Sequence, residues 1–234
     1  MIGICASMQE ELAFVKELKI IGEDAHECFR FTRYEYQGET LVCGVCGTGK
    51  ASAAAFTQSM IVHYRPSLIV NIGTAGSLGG NVRCKDVVVA ADSVQHDFDL
   101  SDFGYQKGEL AELKTIALSC DEDFFHAAKD AAPEGIRVHY GRILTGDRVV
   151  ADEDTRRRLT SLFGGLCAEM EGAAVGQVCA MNNVPYGIIR GISDGEEADQ
   201  LAEFRKNTGT VAELNGRVLL AALARYMNRA GMNI

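Results

Sequence analysis

Short apolar runs alternate along this chain with amphipathic or alanine-rich stretches, and only strands and helices taken in turn satisfy such a pattern. Ile2–Cys5 is followed by Gln9–Leu18, Thr40–Cys46 by Ala51–His63, and Ser67–Ile72 then stands alone. Further apolar runs occur at Val87–Ala91, Val138–Leu144, Gly165–Ala168 and Tyr186–Ile192, with helical periods at Asp154–Leu162, Glu171–Met181 and Val211–Met227. Strand after helix after strand predicts an α/β sandwich. Two stretches fit neither period. Gln95–Glu112, polar and aromatic, reads as a long loop, and Gly195–Gly209 as a mobile excursion before the last helix. No linker or composition change divides the 234 residues, so a single domain over 1–234 is expected.

The segment GVCGTGKAS, Gly44–Ser52, matches all but the last position of a nucleotide-binding P-loop. That last position must carry a hydroxyl to ligate magnesium, and here it is Ala51. ATP hydrolysis is therefore excluded, and Lys50 reads as a solvent-facing residue of an early helical turn. A net charge of −9 argues against a nucleic-acid or anionic-membrane surface. There is no run of eighteen uncharged apolar residues and no basic, cleavable leader, so a cytoplasmic protein is expected. Most of the eight cysteines sit in apolar runs, as reduced core residues do. Cys43 and Cys46, three apart on a strand, point to opposite faces and pair with no second Cys or His group. No metal or cofactor is expected.

In an open α/β sheet, ligands lie beyond the carboxyl ends of strands. Four such ends carry chemistry here: Met8 to Glu11; Asn71 to Leu78, with Thr74 and Ala75 flanked by glycines; Glu169, Met170 and Glu171; and Arg190, Ser193 and Asp194. Each has a plain structural reading. Carboxylates in first helical turns favour the positive end of the helix dipole, and Ser193 or Asp194 would serve as a helix cap. Arg190, however, is embedded in an apolar run and needs a partner. One arginine with acids from three strand ends points to a polar pocket for a small molecule, and the spacing alone does not name it.

The motifs IGICASMQEEL, NIGTAGSL, FGYQKGEL, GDRVV, AEMEGAAV and IIRGISD, in this order, resemble the 5′-methylthioadenosine/S-adenosylhomocysteine nucleosidases of the nucleoside phosphorylase-like family. The resemblance spans nearly the whole chain. It implies one three-layer α/β/α domain with a mixed, barrel-like central sheet, a homodimer, and hydrolysis of the bond joining adenine to a 5-thio-substituted ribose, a step of methionine salvage. It further implies that Glu11, assisted by Arg190, deprotonates the attacking water, and that Asp194 delivers a proton to N7 of the purine. Glu171 would grip the ribose hydroxyls, with Met170 and Met8 lining the sugar and Thr74, Ala75 and Gly76 lining sugar and base. Glu169 and Ser193 belong to the same motifs. Val150 would meet the base edge through its main chain, and Phe103 would cross a dimer interface to cover the neighbouring site.

Two departures stand out. Val149 occupies a position where the family often has an aromatic, and Ala111 one where some relatives have proline. Phe204 is the candidate to close over the adenine. Asn71 stands where the related purine nucleoside phosphorylases carry an arginine for phosphate, which favours water as nucleophile. A futalosine or aminodeoxyfutalosine nucleosidase would use the same acids with another 5′ substituent. A nucleoside-binding protein without catalysis would have lost Glu11 or Asp194.

Overall fold

The computed structural model describes residues 1–195, 199–229 and 231. Its strands are β1 (Ile2–Ala6), β2 (Lys19–His26), β3 (Phe29–Tyr36), β4 (Glu39–Val45), β5 (Leu68–Ser77), β6 (Val87–Gln95), β7 (Leu118–Ser119), β8 (Val138–Thr145), β9 (Cys167–Glu169) and β10 (Tyr186–Asp194). The helices are α1 (Lys50–Tyr64), α2 (Glu122–Asp130), α3 (Glu153–Phe163), α4 (Gly172–Asn182) and α5 (Gln200–Arg229), and Gln9–Glu17 coils as 3-10 turns.

All strands belong to one sheet. β10, β6, β8, β9 and β5 follow one another, and β10 pairs again with β5, so these five close into a small mixed barrel. From β5 the sheet continues outward through β1, β4, β3 and β2 as an open wing, with β7 against β6. β1 lies parallel between β4 and β5 and is buried along its whole length, which is why IGICA is apolar without alternation. Helices cover both faces. On one side α5, α2 and the 3-10 segment pack through Phe14, Phe124, Leu219 and Leu223. On the other, α1 and α4 pack through Phe56, Met60, Val175 and Cys179. The expected α/β/α layers and barrel-like sheet are thus observed. Cys43 and Cys46 fall in these opposite clusters, as their odd spacing requires. Among the described residues, no helix is long and apolar enough to cross a membrane.

Several elements differ from the sequence reading. The β2–β3 hairpin is absent from the sequence reading: β2 is an edge strand with five of its eight residues exposed, and its composition, KIIGEDAH, carries no clean apolar period. β3 joins β4 through Gln37 and Gly38, both at positive φ, the geometry of a tight hairpin turn. α2 carries a readable signal, Asp121 capping Phe124 N at 2.8 Å with Phe124, Ala127 and Ala128 on its buried stripe. The Gly195–Gly209 excursion is mostly helix, because α5 begins at Gln200; residues 196–198 lie outside the described residues. Beyond the end of β6 at Gln95, the stretch to Glu112 does run as an irregular loop, with a 3-10 turn at Ser101–Phe103 and a β-bridge from Leu110 to Thr115. Lys50 is not solvent-facing: its ammonium pairs with Asp97 at 2.6 Å and donates to Gln95 at 3.2 Å, tying the α1 N-terminus to the end of β6.

Candidate active site

The carboxyl ends of β1, β5, β9 and β10 open onto one cleft of about 800 Å³. Its walls include Met8, Thr74, Ala75, Gly76, Glu169, Met170, Glu171, Ser193 and Asp194, with Val149 and Val150 on one rim and Phe204 on another. Residues from four distant parts of the sequence converge because parallel pairing of β1, β5 and β10 aligns the ends where each strand hands its chain to a loop.

Glu11 lies beneath this cleft, 1% exposed. One carboxylate oxygen accepts from Ser7 N and Ser7 Oγ, both at 2.9 Å, and from Met8 N at 3.1 Å. The reach back to Met8 N is a capping-box contact, so the plain helix-cap reading holds for that oxygen. The other oxygen accepts from Thr74 N at 2.8 Å and Thr74 Oγ1 at 3.1 Å, which aims the group at the end of β5. Gly73 makes this approach possible. A Cβ there would stand 2.9 Å from Glu11 Oε1 and 3.3 Å from the Arg190 guanidinium. Glu10, its neighbour, is simply exposed.

Glu169 and Glu171 divide two roles that the sequence leaves open. Glu169 caps α4, accepting from Glu171 N at 3.0 Å and Gly172 N at 2.8 Å, while the Thr145 hydroxyl binds its other oxygen. It also takes the Arg190 guanidinium in a fully buried ion pair. Glu171 has no such cap contact; its side chain accepts from Gly49 N at 2.8 Å and faces the cleft. Burial above all, reinforced by the neighbouring Glu169 charge and opposed by Arg190, pushes the Glu171 carboxyl up to about 7.

Arg190 is 1% exposed and does not line the cleft. Its guanidinium is held by Glu169 and by the side-chain and main-chain oxygens of Asn71, and approaches Glu171 at 3.8 Å. Arg190 forms no ion pair with Glu11 among the described residues, although both abut Gly73. Asn71, with Nδ2 donating to Cys5 O at 2.9 Å, is wholly buried and presents nothing to the cleft.

Asp194 ends β10 after a bulge between Ile192 and Asp194. Its Oδ1 accepts from Ser193 Oγ at 2.5 Å, and a Cβ on Gly76 would stand 3.2 Å from Oδ2. Neither Ser193 nor Asp194 caps α5; Asp199 does, accepting from Ala202 N at 3.0 Å. Burial raises the Asp194 carboxyl, with Glu203 adding to the rise and Ser193 and Arg156 opposing it. Glu11 abuts Gly73 and Asp194 abuts Gly76 on the same strand, positions about 10 Å apart at about 3.3 Å per residue.

Phe103 lies outside the cleft and is 80% exposed. The cleft also contains residues not singled out from sequence: Ser7, Thr48, Arg148, Ala151, Asp199 and Leu201. Thr48 and Arg148 sit in the GTGK and GDRVV motifs and were within reach of the sequence reading. Asp199 and Leu201 were hidden by the irregularity of the 195–209 segment.

A family model described as the phosphorylase superfamily matches residues 1–224. A 5′-methylthioadenosine/S-adenosylhomocysteine nucleosidase of Treponema pallidum is 34% identical over 85% of this chain and 82% of its own length. The nucleosidase of the same name from Colwellia psychrerythraea, solved in complex with adenine, superposes with a TM-score of 0.91 at 29% identity, covering 96% of this chain and 95% of that one. A futalosine hydrolase of Helicobacter pylori superposes with a TM-score of 0.89 at 29% identity, covering 95% and 97%.

Proposed function

Because this chain belongs to the phosphorylase superfamily, in its 5′-methylthioadenosine/S-adenosylhomocysteine nucleosidase branch, we propose that it hydrolyses the N-glycosidic bond of both nucleosides. The products are adenine and methylthioribose or S-ribosylhomocysteine. The observation that carries this reading is one cleft of nucleoside size lined by Glu171 and Asp194, with Glu11 beneath it and bonded to Thr74 of its wall.

Breaking the bond builds positive charge on the sugar and negative charge on the departing base. Adenine leaves well only when protonated, and Asp194, its carboxyl raised by burial, is suited to hand that proton to N7. Glu11, with all its contacts as acceptor, is suited to take the proton of a water attacking the anomeric carbon. Glu171 then binds the ribose hydroxyls, Met8 and Met170 enclose the sugar, and Val150 meets the base edge through its main chain. Val149 and Phe204 give the base its apolar cover, Thr74, Ala75 and Gly76 lie along sugar and base, and Ser193 holds Asp194. Glu169 and Arg190 act beneath the site by fixing the α4 N-terminus and offsetting its negative charge.

The same reading has one domain carry the whole reaction, working in the cytoplasm in methionine salvage, as a homodimer whose Phe103 covers the neighbouring site. An aromatic 80% exposed on a loop favours such a partner. Water is preferred over phosphate because Asn71, where the related phosphorylases carry an arginine, is neutral and wholly buried and offers phosphate no charge.

The test is incubation of purified protein with each thio-nucleoside in phosphate-free buffer, with futalosine and aminodeoxyfutalosine in parallel and adenine or hypoxanthine read by chromatography. Base release from both thio-nucleosides, lowered by at least about 10²-fold in Asp194→Asn, is the expected result. Release that requires phosphate, or that occurs only with the futalosine pair, overturns the reading.

A further inference from the structure

The residue after the proposed general acid is clamped from two sides by groups of opposite charge. Gly195 N donates to Glu203 Oε2 at 3.0 Å, and Gly195 O accepts from Arg156 Nη1 at 2.9 Å. Glu203 comes from the first turn of α5 and is 3% exposed; Arg156 comes from α3. The peptide has little freedom otherwise, since Gly195 adopts φ 115° and a Cβ there would lie 2.9 Å from Ser77 N and 3.0 Å from Ser77 O. Asn207, one turn beyond Glu203, donates to Ser193 O at 3.1 Å and to Glu203 O at 2.9 Å. Arg156 also donates to Ala151 O at 3.0 Å, so it joins the rim beside Val150 to the end of β10. Among the described residues, the polar contacts from α3 and α5 that fix the 193–195 backbone run through Arg156, Glu203 and Asn207.

We infer that Glu203 and Arg156 are positioning residues that hold Asp194 and set, in opposite directions, how readily it keeps its proton. This rests on the functional reading above. A buried carboxylate beside Asp194 disfavours a second negative charge, and a guanidinium favours it. The other groups around Asp194 do not substitute for this pair. The end of β5, Thr74–Ser77, has no titratable side chain, and Asn207 is neutral. Arg148 and Asp199 stand on the exposed rim, the Cys84 thiol meets Ser193 O at 3.6 Å, and Glu169 and Glu171 in the cleft wall are offset in part by Arg190 beneath it. The inner face of early α5 is thus polar for a reason: it carries a carboxylate that adds to the rise burial gives Asp194, and the amide that holds its backbone.

The sign is fixed by the role. A general acid works while protonated, so turnover is lost as pH rises through its value in the substrate complex. Glu203→Gln removes a group that raises Asp194, and the alkaline limb of kcat moves to lower pH. Arg156→Gln removes a group that lowers it, and the limb moves to higher pH. Each displacement is expected to be about half a pH unit or more, a rate ratio of about threefold on the limb. Arg156→Lys keeps the charge and leaves the limb close to its original place. The profile of kcat is the one to follow, since kcat/KM also reports Glu171 in the free enzyme. If Glu203→Gln does not fold, Arg156→Gln and Arg156→Lys still give the contrast. Lowered kcat with limbs unmoved, or moved the same way in both glutamine variants, overturns the inference. Asp194→Asn separates the two levels. Full turnover in that variant removes the functional reading itself, whereas loss of turnover there with unshifted limbs in the others removes only the clamp.

Discussion

Replacing Glu171 by glutamine is expected to stabilise the free protein while destroying its activity, and the size of the gain follows from the site. Folding lifts this carboxyl from its ordinary 4.5 to about 7, chiefly by burial. At about 1.36 kcal/mol per pH unit, holding it ionised in the folded state costs about 3 kcal/mol. Below 4.5 the group is protonated in both folded and unfolded chains, and the cost is absent. Between 4.5 and 7 the folded state binds the extra proton, so stability falls as pH rises; above 7 the cost is constant. Glutamine abolishes this dependence and can still accept from Gly49 N. The attraction of Arg190 at 3.8 Å is already contained in the value of about 7, and the buried amide itself carries a desolvation cost, which leaves a gain of about 1–3 kcal/mol. For a chain of this length that is about 2–12 °C in melting temperature at pH 8, with little difference at pH 4.5. Thermal melts of both proteins across that range, in the absence of ligand, measure it. A variant less stable than the parent at pH 8, or one retaining the parent's full pH slope, would refute the assignment of Glu171 as a group strained by burial for the sake of substrate.

Other substitutions probe the same architecture. Gly73→Ala puts a methyl 2.9 Å from Glu11 Oε1, so kcat should fall by about tenfold or more in a protein that still folds, as circular dichroism and steady-state kinetics will show. Arg190→Met leaves Glu169 buried without its partner and should cost about 3–5 kcal/mol in denaturant unfolding. Phe103→Glu, on a side chain 80% exposed, should leave folding intact but shift sedimentation towards monomer and raise KM; unchanged sedimentation and kinetics would remove the proposed role of Phe103 across an interface. Gly187→Ala meets Phe124 Cδ1 at 2.3 Å and should lower the melting temperature without changing the pH profile of what remains active.

Much of this was legible before any coordinates. β1, β5 and β10 announce themselves because strands buried on both faces must be continuously apolar, and each ends in a short polar motif. Position in sequence placed Glu11, Glu171 and Asp194 among the candidate acids at strand ends, and the resemblance to the nucleosidases singled them out. What it left undecided was which acids serve the helix and which face the cleft. Glu169 and Glu171 are two residues apart with the same surroundings in sequence, and only the path of the chain gives Glu169 the α4 N-terminus and Arg190, and Glu171 the open side. The first turns of α5 failed to read as helix for a related reason. Glu203, Asn207, Val211 and Asn215 form one buried stripe at a spacing of four, but three of them are polar. A periodicity argument assumes that buried means apolar, and that assumption breaks where a helix turns its inner face to a site. Local pattern therefore determined the five barrel strands with β1 and β4, most helices and the set of candidate acids, because those depend on residues near in sequence. The closure of β10 onto β5, the partner of Arg190 and the clamp at Gly195 depend on groups brought together from afar, and tertiary packing alone decided them.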